Sequence, residues 1–180
     1  MENKVISNLT VSRDESKVIE NALKLGKKGT KNIFKYLFVD NKKLYATNGH
    51  FAIRIKDIDL ANGIYEPIGK PTTTKDYANY NLVLVEDSEY PDMKVYFETD
   101  IEPAIDYIIG NIIGIARTSL SIRLFELTGQ SYSMDLLDIL LMVYKGINAE
   151  IKVATNKGKP LQLDIGNVTL LASHFNGYKR

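Results

Sequence analysis

Leu44-Tyr45-Ala46-Thr47-Asn48-Gly49-His50-Phe51-Ala52-Ile53-Arg54-Ile55 decides how the rest of this 180-residue chain is read. Apolar residues alternate on both sides of Asn48-Gly49, the pattern of two short strands around a tight turn. Asn-Gly is the commonest pair that tolerates positive φ at both central positions of such a turn. Upstream, residues 33–39 form the preceding strand, joined to 43–47 through Asp40-Asn41-Lys42. Residues 5–11 alternate as a first strand. Ser12 then caps a helix, with Glu15 placed to reach back in a capping box, and Gly26 stops it. Residues 27–31 are a basic loop.

Downstream, residues 56–80 are rich in Gly, Pro, Asn and Thr, including Gly69-Lys70-Pro71, and read as an irregular insertion. Residues 81–85 and 94–98 are expected as strands around Tyr90-Pro91-Asp92. A second helix is expected over 101–117, with Asp100 as its cap and Pro103 in the first turn. Then come a strand over 121–127, a third helix over 133–145, a strand over 150–154, and a hairpin ending in the strand 168–172.

Three segments carry a family resemblance. Ala46, Thr47, Gly49, His50 and Ala52 fall in the order of the A-T-D-G-H-R-L-A segment of the bacterial DNA polymerase sliding clamp, the beta subunit, with Asn48 for the aspartate and Phe51 for the arginine. Glu86-Asp87-Ser88-Glu89-Tyr90-Pro91-Asp92-Met93-Lys94-Val95 resembles the clamp's E-G-E-[FY]-P-D-Y-x-x-V. The helix, strand and hairpin after Tyr132 follow the clamp's closing order, although Ala172-Ser173-His174-Phe175 stands where the family usually has M-P-M-R-L.

The resemblance implies an α+β, DNA-clamp-like fold, with helices packed on one face of curved antiparallel sheets. Strand–helix–strands recurs twice, which fits the two pseudo-symmetric halves of a clamp domain. One parse makes 1–180 a single domain with an insertion around 56–80; the other makes two truncated domains, 1–99 and 100–180. By the same resemblance the chain is expected to be a reduced or phage-type processivity factor, a non-enzymatic homo-oligomer. It would bind duplex DNA without sequence preference and dock polymerase or clamp-loader peptides. The alternative is a protein-binding module or decoy that regulates replication without encircling DNA.

Composition sets outer bounds. Hydrophobic content of 44% with 25% charged residues suits a packed core. A net charge of +1 rules out coating nucleic acid by bulk charge, yet permits a local basic patch. With no cysteine, disulfides and thiolate metal sites are excluded. The amino terminus lacks the apolar core of a signal peptide, and no apolar run approaches the roughly 18–20 residues of a membrane span. A cytoplasmic protein without membrane contact is expected.

Arg13, Lys17, Lys24 and Lys28 share one helix face opposite Val18, Ile19, Ala22 and Leu23. Lys27, Lys31 and Lys35 add charge nearby. The resemblance makes the four a phosphate-contacting set; the plainer reading is a solvated face partly paired with Asp14 and Glu20. Residues matching Thr47, Gly49, His50, Phe51, Ala52 and Pro91, with the closing strand at Ser173 and His174, line the family's peptide cleft. Phe51 would then favour an apolar anchor.

The third helix argues against a DNA channel, because its polar stripe holds Asp135 and Asp138 with Lys145, and the rest is apolar. Catalytic patterns are lacking. Pro71 follows Gly69-Lys70 where a phosphate loop needs Ser or Thr, and no serine sits in a Gly-x-Ser-x-Gly elbow. His50 and His174 have no carboxylates at ligand spacing. Neither a metal nor a cofactor is expected.

Overall fold

The structure is a computed structural model, and it describes residues 6–28, 31–86, 88–93, 97, 107–110, 117–129, 131–132, 134–145, 151–154 and 161–172. Strand β1 (Ile6–Ser12) runs into helix α1 (Arg13–Gly26). A 3-10 turn (Asn32–Lys35) leads into β2 (Leu37–Asp40), β3 (Lys43–Thr47) and β4 (Phe51–Ile55). Then follow β5 (Gly63–Thr73), β6 (Tyr77–Leu84) and β7 (Tyr107–Gly110). Helices α2 (Arg117–Thr128) and α3 (Met134–Val143) precede β8 (Ile151–Ala154), β9 (Leu161–Ile165) and β10 (Val168–Ala172).

Among the described residues, ten strands form one sheet, in the order β1-β6-β5-β2-β3-β4-β10-β9-β8-β7, with every neighbouring pair antiparallel. The recurrence expected from the sequence is visible about the β4–β10 junction. Moving outward from it, one half runs β4, β3, β2 and the other β10, β9, β8. In the second half β7 follows directly; in the first, the β5–β6 hairpin is interposed before β1.

The start of α1 is built as its sequence requires. Ser12 Oγ accepts the Glu15 N–H at 3.3 Å, and the Glu15 carboxylate accepts the Ser12 N–H at 2.7 Å. Val18, Ile19, Ala22, Leu23 and Leu25 are buried on one side of the helix, in a core shared with Leu136, Leu137 and Leu140 of α3 and with strands from both halves. Asn21 Nδ2 donates to the Val143 carbonyl at 3.0 Å, which occupies a free acceptor at the end of α3. Beyond that helix the buried Tyr144 hydroxyl donates to the Leu163 carbonyl at 3.0 Å.

Three expectations need correction. Residues 63–84 are not an irregular insertion but a long hairpin. Its prolines fit because β2 pairs with β5 only from Gly63 to Tyr65, so Pro67 and Pro71 lie where that edge has no strand partner. Residues 117–128 are helical rather than extended, with Leu120 and Leu124 buried one turn apart and Ile122 and Phe125 left exposed. Within the expected second helix, 101–117, Tyr107–Gly110 is a strand, in line with the β preference of consecutive isoleucines, and only Arg117 of the other described positions is helical, as the first residue of α2. Of the expected strand residues 94–98, Phe97 is helical rather than extended, and the others lie outside the described residues.

Candidate nucleic-acid and partner sites

Helix α1 carries its cations on the arc opposite its buried residues. Arg13 and Lys17 are half-buried, while Lys24 and Lys28 are exposed. Lys28 lies past the helix, its N–H donating to the Leu25 carbonyl at 3.1 Å. Lys17 Nζ is 3.3 Å from Asp14 Oδ1, so part of the pairing allowed by the plainer reading is present.

A cleft beside the helix takes in two of the four residues. Arg13 and Lys24 line a cleft of about 580 Å³ between α1 and the β5–β6 hairpin, together with Lys27, Lys35 and Lys70. Lys17 and Lys28 are not part of its lining. Glu20 and Glu66 also face it, and Tyr80 forms part of its floor. The Tyr80 hydroxyl lies 2.8 Å from Ser16 Oγ and donates to the Ser16 carbonyl at 3.2 Å. Burial, opposed in part by the Ser16 bond, pushes the Tyr80 pKa up to about 12. Lys70 was missed by helix-face reasoning because it is far from α1 in sequence; the Gly-Lys-Pro run was its only signal.

The turn after β3 differs from a two-residue Asn-Gly turn. Thr47 pairs with Ala52, which leaves four residues between them, and Gly49 alone among these has positive φ, at 90°. Side chains organise this loop. The Thr47 hydroxyl donates to the Phe51 carbonyl and accepts the Gly49 N–H, while Asn48 Oδ1 accepts the N–H of His50 at 2.9 Å and of Phe51 at 3.1 Å. The two-residue turn with both φ positive is at Asn41 (50°) and Lys42 (58°) instead.

The residues of the expected peptide cleft divide between the two faces of the sheet. Phe51 is 2% exposed and belongs to the main core, so its ring is not offered to a ligand. Ala52 faces the other way, under a smaller cluster with Tyr45 and Met93, against which Phe38, Tyr90 and Phe97 pack. Tyr90 stacks on Phe38 at 5.1 Å, and burial raises its hydroxyl pKa. The segment holding Pro91, itself half-buried, is thereby laid over the β3–β4 hairpin. Gly49 and His50 are exposed at the loop, and Thr47 is buried. Ser173 and His174 lie outside the described residues.

Among the described residues, no helix is long and apolar enough to cross a membrane. No group of three or more His, Cys, Asp or Glu side chains that could hold a metal ion occurs among them.

No protein-family model matches the sequence, and no curated protein matches it. Solved structures do match the fold. The DNA polymerase III beta chain of Streptococcus pneumoniae aligns with a TM-score of 0.53 at 12% identity, over 98% of this chain and 66% of that one. The DNA polymerase III subunit beta of Pseudomonas aeruginosa aligns at 0.52 and 10% identity, over 97% and 66%. A Pseudomonas aeruginosa DNA polymerase sliding clamp with ligand aligns at 0.51 and 9% identity, over 96% and 66%. The chain thus spans 66% of the length of each of these clamps. Its α+β architecture of helices on an antiparallel sheet is the fold of the bacterial DNA polymerase sliding clamps.

Proposed function

We propose that this chain is a non-enzymatic, sliding-clamp-like accessory factor of DNA replication. It binds duplex DNA without sequence preference through Arg13, Lys17, Lys24 and Lys28, as a phage-type, cytoplasmic homo-oligomer. The observation that carries the reading is the cationic arc of α1, turned away from the core of a clamp-type sheet. Phosphate contact needs only such mobile cations on an approachable surface. A salt titration tests it. Duplex binding should fall steeply with salt, and alanine at all four positions should lower the slope of log K against log salt by about 0.9 per lost contact. Equal slopes in the two proteins would refute it.

One clamp-like domain over 1–180 is the division we favour over two truncated ones, since a single core cluster takes in residues from Leu9 to Ala172. The loop at Thr47, Gly49 and His50, with Ala52, Pro91, Ser173 and His174, is the proposed dock for a polymerase or loader peptide. Phe51 supports it from within the core. Gly49→Trp should abolish capture of such peptides by the folded protein; unchanged capture would remove the site.

A second reading, a partner-binding module that does not encircle DNA, is favoured by the helices of the other half. They present exposed Ile122, Phe125, Met134 and Met142 with the exposed, acidic Asp135 and, half-buried, Asp138. Carboxylates facing a phosphate backbone would repel it.

A further inference from the structure

The cleft between α1 and the β5–β6 hairpin has a wall that the helix does not supply. Ile68 pairs with Asn81 and Thr72 with Asn79, so Gly69, Lys70 and Pro71 stand opposite the single residue Tyr80. Such a bulge re-aims side chains, and bulges gather where a sheet carries a site. Gly69 has φ +69, and its Cβ position meets nothing within 4 Å, so the backbone at this point of the bulge borders open space. Lys70 is thereby brought to the cleft that Arg13 and Lys24 line from the helix, Lys27 from just past its end and Lys35 from the turn before β2. Five cations meet two carboxylates there, and one of these, Glu20, accepts a hydrogen bond from Ser16 Oγ at 3.3 Å. Among the described residues, no carboxylate lies within ion-pair distance of Lys24, Lys27, Lys35 or Lys70.

We propose that this cleft grips the sugar–phosphate backbone of a single nucleic-acid strand, with Lys70 of the bulge acting across from Arg13 and Lys24. Cations on both walls of a concavity of about 580 Å³ surround a chain that enters it. A duplex is a convex rod and meets only the rim. Among the described residues, the one aromatic ring in the lining is Tyr80, and it is 3% exposed, so these residues offer bases no stacking platform and recognition is by charge. An acidic peptide is the poorer fit. Beyond Tyr65 the outer edge of β5 has no strand partner, but Pro67 and Pro71 remove the N–H groups that an added strand would need.

The inference rests on the nucleic-acid reading of α1 and adds Lys27, Lys35 and Lys70 to it, yet the two can fail separately. The test measures fluorescence anisotropy of the full chain with a labelled oligothymidylate and with a duplex of equal length, across salt. The triple variant Lys27→Ala, Lys35→Ala, Lys70→Ala should weaken single-strand binding by roughly tenfold at low salt and lower its slope by about 0.7 per lost contact. Duplex binding should change little. Lys17→Ala with Lys28→Ala, outside the cleft, should do the reverse. Lys27→Arg, Lys35→Arg, Lys70→Arg should retain single-strand binding, which separates charge from folding.

Absent single-strand binding, or an unchanged slope in the triple alanine variant, would overturn the proposal. So would equal loss of duplex and single strand in both variants. Competition by polyglutamate as strong as by unlabelled oligothymidylate would assign the cleft to acidic peptides instead. Displacement by inorganic phosphate at equal phosphate concentration would reduce it to a free-anion site.

Discussion

The last residue of α1, Gly26, passes so close to Phe34 that a Cβ built on it would stand 2.0 Å from the Phe34 carbonyl oxygen. Helix propensity alone favours Gly26→Ala by up to about 1 kcal/mol. The contact is with backbone, which cannot swing aside, so the overpacking penalty wins. We expect Gly26→Ala to destabilise the protein by about 2 kcal/mol in a urea unfolding curve. A neutral or stabilised variant would contradict the close approach of α1 to the 3-10 turn.

Lys42 offers the opposite sign. It sits in the left-handed region at φ 58°, next to Asn41 at 50°, in the turn that joins β2 and β3. A side chain with a Cβ is strained there, whereas glycine is not. Lys42→Gly should stabilise by about 1 kcal/mol, read as a higher urea midpoint at unchanged m-value. The Lys42 carbonyl that accepts the Ile58 N–H at 3.0 Å is retained in the variant.

Tyr80 sets an alkaline limit. Its folded pKa of about 12 lies above the ordinary 10.0, so the folded protein keeps this proton longer than the unfolded chain does. The stability linked to it is complete below the unfolded value and is lost as pH rises from there through the folded pKa. In that window the loss is about 1.4 kcal/mol per pH unit for each such group. Tyr80→Phe should be less stable at neutral pH, through loss of the bonds to Ser16, and should lose less between pH 9 and pH 11 than wild type. Parallel losses in the two proteins would show that Tyr80 titrates normally.

The two ends of the sheet bear on the proposed assembly. Among the described strands, β1 pairs only with β6 and β7 only with β8. Ile6 of β1 is 58% exposed. A homo-oligomer with closed symmetry, joined through these edges, would leave none open. Light scattering should give a mass several times 20.3 kDa. A monomer persisting at high micromolar concentration would favour the partner-binding reading over the ring.

Local rules made much of the fold legible. The Ser12–Glu15 reciprocal cap, the β3–β4 hairpin and the closing β10 strand each depend on residues adjacent in sequence. The β5–β6 hairpin was hidden because Pro67, Gly69 and Pro71 are breakers by composition and become tolerable only where a long-range partner is missing. Residues 121–127 alternate like a strand, but burial of Leu120 and Leu124 one turn apart decided for helix, and that depends on packing. The basic arc of α1 could be seen from spacing; its division between cleft and open surface could not. Phe51 lies in the core because it shares the strand face of Ile53 and Ile55, an alternation within β4 that a change of two residues in the loop would leave as it is.

The seam between β4 and β10 joins Phe51 to Ala172 and Ile55 to Val168. On a ribosome, β4 is complete long before its partner exists, for on the order of ten seconds at ordinary elongation rates. During that interval Phe51, Ile53 and Ile55 lie along an open edge that could pair with a neighbouring nascent chain. Synthesis that stalls before residue 168 would leave the same edge uncovered, so the yield of soluble protein should be set by how promptly the far end of the message is translated.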